Sequence, residues 1–280
     1  MFKYFILNFT KDYTKNYSYG DVIIPTILMV EKDKININID NEYYTIHKIF
    51  KSRHNTFLSE DRNKKKYIIK ISEEKLYENN DNNESIARFN KLDLEEIQKL
   101  IVFYMSNNKY YYVYNFIEGN TLDEELKKGI DYNKFKNICI QILDIIIKLK
   151  NHGLSYIDIT ENNIIINKNK VYFIDNELMM SYGLVIKKIG LYINIVGTEI
   201  DHYDNMSRVK SERIDEELKD ERFDLASFGN VLNNMLKKSQ YPHKAELEKY
   251  IEDNLLSIRL NSVIKRAEDI KSDLEKMFNK

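Results

Sequence analysis

The sequence predicts an α+β protein of two lobes, strand-rich in its first part and helical in its second. Two observations carry this. Up to Gly119 the apolar residues alternate or cluster in short β-branched and aromatic runs, whereas beyond it they recur at helical spacing. A length of 280 residues is also enough to bury substantial cores in two packed lobes.

Strands are expected at 21–30, 34–39, 43–50, 55–59, 66–71, 97–105 and 109–116. Lys34–Ile39 alternates strictly, and 109–116 is very aromatic, with Tyr110, Tyr111, Tyr112, Tyr114 and Phe116. The polar, Asn-rich stretch 74–83 reads as a loop, and Ile86, Phe89 and Leu92 set a helix over 84–92. The period changes at a hinge near 117–122. Phe135, Ile138, Ile142, Ile145, Ile146 and Leu149 then share one face of a helix that stops at Gly153. Leu225, Phe228, Leu232 and Leu236 mark another helix, and Ile264, Ala267, Ile270 and Leu274 a third. This succession, strands and then helices, is that of an α+β fold.

Composition excludes some functions. Lys+Arg (43) nearly cancels Asp+Glu (44), so the strongly basic surface of a general nucleic-acid binder is not expected. Cys139 is the only cysteine, which rules out an intramolecular disulfide. Its apolar neighbours Ile138 and Ile140 make it a small buried hydrophobe, and a reducing compartment suits it. The apolar start of the chain turns polar at Asn8, too soon for a secretory core. The stretch 138–149 is broken by Gln141, Asp144 and Lys148 and is too short to span a bilayer. A soluble, cytoplasmic protein with no membrane partner is the expectation.

The chemistry concentrates in 152–178. Ile164–Ile166 and Val171–Ile174 are apolar runs flanking the polar turn Asn167–Lys170, which is a β-hairpin pattern. Asn163 precedes the first run and Asp175 follows the second, so the two are expected side by side at the open end, roughly 5 Å apart. An amide oxygen and a carboxylate so placed suit Mg²⁺, which fills its shell with oxygen ligands, waters and phosphates. Asp158 lies in the loop between helix and hairpin. There it is placed to accept a hydroxyl proton, or to orient the hydroxyl, for attack on a γ-phosphate.

These residues resemble the catalytic loop and metal-binding segment of protein kinases. The family's HRDxxxxN appears as Tyr156, Ile157, Asp158 and, after four residues, Asn163; its DFG appears as Asp175, Asn176 and Glu177. Tyr67–Lys70 looks like the VAIK strand, whose lysine holds the α- and β-phosphates. Glu84 is then the candidate ion-pair partner of Lys70, with Glu95 and Glu96 as rivals. Asn115 to Leu122 resembles the hinge, with the backbone of Asn115 and Ile117 facing adenine and Tyr114 guarding the back of the pocket. Asp224, Ser227 and Gly229 match the D-x-x-S-x-G start of a buried helix whose aspartate binds catalytic-loop backbone. Glu212 and Arg259 fit a buried ion pair at the end of the activation segment, and Gly197-Thr198 resembles that segment's Gly-Thr pair.

The resemblance covers roughly 43–278. It implies a protein-kinase-like fold with an extension at 1–42, a first lobe at 43–117 and a second at 118–280. It also implies ATP and Mg²⁺ as cofactors, a protein or peptide Ser/Thr substrate, Asp158 and Lys70 as catalytic groups, and Asn163 and Asp175 as metal ligands.

The pattern departs from the family in places. No glycine-rich loop precedes the VAIK-like strand; Lys51, Ser52, Arg53, His54 and Asn55 stand there instead. Arg53 or Lys51 could replace its backbone amides by charge. Ile157 replaces the arginine that binds an activating phosphate, and Thr160 the lysine common in Ser/Thr kinases. The Ile174-Asp175-Asn176-Glu177 ending is also similar to aminoglycoside and choline kinases and to the kinase modules of lanthipeptide synthetases. A small-molecule kinase and a noncatalytic pseudokinase therefore stand as alternatives to a protein kinase.

Overall fold

A computed structural model of the chain describes residues 29–31, 34–39, 42–50, 55–73, 92, 94–106, 109–176, 179–181, 222–256 and 265–280. The chain divides into two units, Met1–Asn79 with Gln98–Phe116, and Asn80–Ile97 with Ile117–Lys280. Its described residues form an α+β fold with an antiparallel sheet in the first unit and a helical second unit.

In the first unit, β-branched and aromatic residues build β1 (Met29–Glu31), β2 (Lys34–Ile39), β3 (Glu42–Phe50), β4 (Asn55–Glu60), β5 (Lys66–Ser72), β6 (Leu100–Ser106) and β7 (Lys109–Asn115). They pair antiparallel in the order β1-β2-β3-β4-β5-β7-β6. Alternation sends Ile37, Phe57, Ile69, Ile71 and Val113 to one apolar core. Lys70 pairs across the strands with Thr56 and Tyr112, so these side chains lie on the opposite face. The strand expected at 97–105 begins instead at Leu100. Ile97 belongs elsewhere: with Leu94 it is buried in the core of the second unit, where it bridges Phe173. Of its described residues, the expected first lobe at 43–117 therefore gives up 92, 94–97 and 117, and it is joined by β1 and β2 from the expected extension. The expected strand residues 21–28 and helix residues 84–91 lie outside the described residues.

The second unit is built on α2 (Tyr132–Asn151), which follows α1 (Leu122–Lys128). The face of α2 read from the sequence is buried throughout, together with Cys139 at 0% exposure. Burial pushes the Cys139 thiol well above its ordinary value, so it stays a neutral hydrophobe. The later helices are α3 (Arg222–Lys238), α4 (Lys244–Ile251), which runs into a π-helical turn at Glu252–Leu256, and α5 (Ala267–Phe278). The sequence reading missed α1 and α4. Thr121 and Glu124 do form a capping box at the start of α1, a signal present in the sequence. In α4 only Leu247 and Ile251 are buried, too few for a clear period. Among the described residues no helix is long and apolar enough to cross a membrane.

Candidate functional site

The hairpin expected from Ile164–Ile166 and Val171–Ile174 forms as β10 (Ile164–Asn167) and β11 (Lys170–Phe173). Lys168, at φ 58, begins the tight turn between them. α2 holds the tip: Asn137 and Gln141 donate to Asn169 O at 3.0 and 2.7 Å, and Val171 N donates to Gln141 Oε1 at 3.0 Å. On its other edge β10 pairs with β8 (Asn120–Thr121). The approach there is close. Gly119 sits at φ +142, and a Cβ on it would lie 2.5 Å from Ile166 O, so glycine is required.

The pairing register corrects the expected position of Asp175. Ile164 faces Phe173, and Ile174 N donates to Asn163 O at 2.9 Å, so the residue opposite Asn163 is Ile174. Asp175 lies one residue further on and adopts φ 66, leaving the strand conformation. The chain then bends, with Met179 N donating to Asn176 O at 3.1 Å, and returns as β12 (Met180–Ser181) to pair with β9 (Leu154–Ser155).

β9 leads into the loop that carries Asp158. Ile157 has φ 73, and Asp158 N donates to Tyr156 O at 2.9 Å, which closes a strained γ-turn around a β-branched residue. The strain is held from α3. The fully buried Asp224 accepts from Ser155 Oγ at 3.0 Å, Tyr156 N at 3.0 Å and Ile157 N at 2.8 Å. One helical turn later, Ser227 Oγ donates to Ile157 O at 3.2 Å. Both backbone groups of the strained residue are thereby fixed by one face of one helix. The sequence reading assigned Asp224 to loop backbone; the part played by Ser227 was missed, although its spacing from Asp224 signals a shared face.

The loop delivers Asp158 to Asn163. Asn163 Nδ2 donates to Asp158 Oδ2 at 2.7 Å and to Asp158 O at 3.1 Å. Both partners are acceptors, which orients the amide and leaves Asn163 Oδ1 as its free-facing oxygen. Tyr156 adds a further tie: its ring packs on Phe173 at 4.8 Å between centroids, and its hydroxyl donates to Ile174 O.

Among the described residues no group of three or more His, Cys, Asp or Glu forms a metal-ligand cluster. By donor chemistry alone, the amide oxygen of Asn163 and the carboxylate of Asp175 are of the type Mg²⁺ accepts, since it keeps several waters and takes phosphate oxygens, and they are too few for a cation that needs an all-protein cage.

In the first unit Lys70 is 6% exposed, and its Nζ lies 5.7 Å from the ring centroid of Tyr114, which is itself fully buried on the same face. Asn115 is more committed than expected. Its N–H donates to Lys99 O at 3.1 Å, its side chain accepts from Lys99 N, and its carbonyl accepts from Gln98 Nε2 at 3.0 Å. Of its backbone groups, only the second lone pair of that carbonyl is left. Ile117 is half-buried and begins the second unit's second segment. Of the rivals to Glu84, Glu96 is bound to Lys148, and its carbonyl accepts from Phe173 N at 2.8 Å, while Glu95 is exposed. Glu84 itself, Lys51, Arg53, Gly197, Thr198, Glu212 and Arg259 lie outside the described residues. Compared with known proteins, the chain matches no family model and no curated sequence.

Proposed function

We propose that the protein is an ATP- and Mg²⁺-dependent phosphotransferase with a two-lobed, protein-kinase-like fold, acting on a Ser or Thr hydroxyl of a protein or peptide. The observation that carries this reading is the second unit's loop and hairpin. There a strained Ile157 presents Asp158 to Asn163, and a left-handed Asp175 lies two residues beyond the end of the adjoining strand. Backbone outliers held this firmly by buried polar groups mark a site whose geometry matters.

In this reading the Asp158 carboxylate accepts the proton of the acceptor hydroxyl as its oxygen bonds to the γ-phosphorus and the bond to the ADP oxygen breaks. The amide of Asn163 keeps that carboxylate aimed, and its Oδ1, with Asp175, would hold the metal. Mg²⁺, when bound, neutralises charge on the transferring phosphate. Lys70 is assigned to the nucleotide phosphates by its charge and its place beside Tyr114.

The test is incubation with γ-phosphate-labelled ATP and Mg²⁺, wild type against Asp158→Ala. Wild type should label itself or an added Ser/Thr-rich protein, and Asp158→Ala should lose at least roughly 100-fold of that rate. Label that reaches only small alcohols would move the reading to a small-molecule kinase. No transfer by wild type would overturn it in favour of a binding module.

A further inference from the structure

We infer that β6 is the docking edge for a second copy of this chain, the two β6 strands pairing antiparallel about a two-fold axis at Phe103. The inference does not rest on the phosphotransferase reading. Among the described residues β6 ends its sheet and pairs with β7 alone. An edge strand offers a row of backbone N–H and C=O groups to another strand, and proteins guard such edges with charge, proline or shortness. The opposite edge follows that rule, since β1 has three residues and ends on Glu31. β6 does not. Leu100–Ser106 is seven residues long and carries neither a charge nor a proline. Its one irregularity, a register shift between Leu100 and Val102, leaves Val102–Ser106 in a regular ladder.

The side chains add to the case. Ile101, Phe103 and Met105 are 51, 45 and 61% exposed. Apolar side chains exposed together along one strand mark an interaction site, whereas single scattered ones do not. Phe103 is also held in advance. Its ring stacks on that of Tyr110 at 6.2 Å between centroids and lies 5.2 Å from that of Tyr112. Little side-chain freedom is therefore lost when a partner covers it.

The strand is complementary to itself. In an antiparallel pair centred on Phe103, that residue meets Phe103 of the second copy, Val102 meets Tyr104, and Ile101 meets Met105. Each exposed apolar side chain thereby covers another. A two-fold contact sets a strand against its own sequence, so a charge near the axis would face its own copy and repel it. A neutral run meets this condition, and Leu100–Ser106 is such a run. The pairing consumes the open edge of both copies, so assembly closes at two.

The test is sedimentation equilibrium of the full chain over about 1 to 100 µM, for wild type, Met105→Lys and Ile101→Lys. Wild type should pass from one chain to two. Either lysine should weaken the dimer at least roughly 10-fold, and the two variants guard against one of them folding poorly. Amide exchange in Val102–Ser106 of wild type should slow as concentration rises, which reports strand pairing directly. Dimers that form equally well in both lysine variants overturn the inference, as does slowed exchange confined to other elements. Growth beyond two copies overturns it too, because the edge would then not close. Wild type that stays a single chain throughout also overturns it. In that case a lower melting temperature in the lysine variants would show that another segment of the same chain covers the edge.

Discussion

Glu125, 7% exposed, accepts from Asn120 and Lys128, each at 2.7 Å, and from Lys134. The bonds from Lys128 and Lys134 outweigh burial, Asn120 adds to them, and the carboxyl falls from 4.5 to about 2. Because the folded value lies below the unfolded one, the stabilisation is fully present above pH 4.5 and is lost as pH falls towards about 2. Glu125→Gln should therefore cost roughly 1–2 kcal/mol at neutral pH. Its urea midpoint should converge on that of wild type at the acid end of that window. Parallel curves at all pH values would show that the carboxylate charge is not what the lysines stabilise. Asp224 is a different kind of buried carboxylate. Its named partners are backbone N–H groups and the Ser155 hydroxyl, so it organises a loop where Glu125 ties helix to helix.

Between elements, α3 meets the turn Glu252–Leu256 through Gly229. A Cβ there would lie 2.8 Å from Leu255 Cβ and 3.0 Å from Leu256 Cδ2, whereas Gly129 and Gly153 have nothing within 4 Å. Two effects compete in Gly229→Ala. Helix propensity favours alanine by about 1 kcal/mol, while overpacking a rigid Cβ contact costs about 1–3 kcal/mol. Leu255 is 1% exposed and has little room to yield, so the clash should win. A net loss of about 1–2 kcal/mol by urea denaturation is the expected result. A neutral or stabilised variant would mean that the two elements separate without cost.

For the molecule as a whole, Leu94 and Ile97 lie close in sequence to β6 yet belong to the core of the helical unit. Ile97 is 1% exposed and bridges Phe173 at the edge of the hairpin, and Glu96 O takes the Phe173 N–H at 2.8 Å. Ile97→Ala should cost about 2–5 kcal/mol. The loss should appear first as faster amide exchange in β10, β11 and the buried face of α2. Faster exchange confined to β5–β7 would place Ile97 energetically with the first unit instead.

Several elements were legible in the sequence because their cause is local. Strict alternation defined β2, a one-sided apolar stripe defined α2, and two apolar runs around a polar turn defined the hairpin. The order of Asp158, Asn163 and Asp175 along the chain singled out the loop, because each stands at a boundary between elements. What the sequence could not determine was where the strand register places those boundaries in space. A shift of one residue set Ile174, rather than Asp175, opposite Asn163, since pairing depends on the whole ladder. Nor could it determine that Ile97 packs away from its neighbouring strand, or that Asp224 and Ser227 jointly hold Ile157 at positive φ. Those outcomes depend on residues far apart in the chain meeting in one buried place. Short-range pattern carries no information about such meetings, and only close packing of the folded chain decides them.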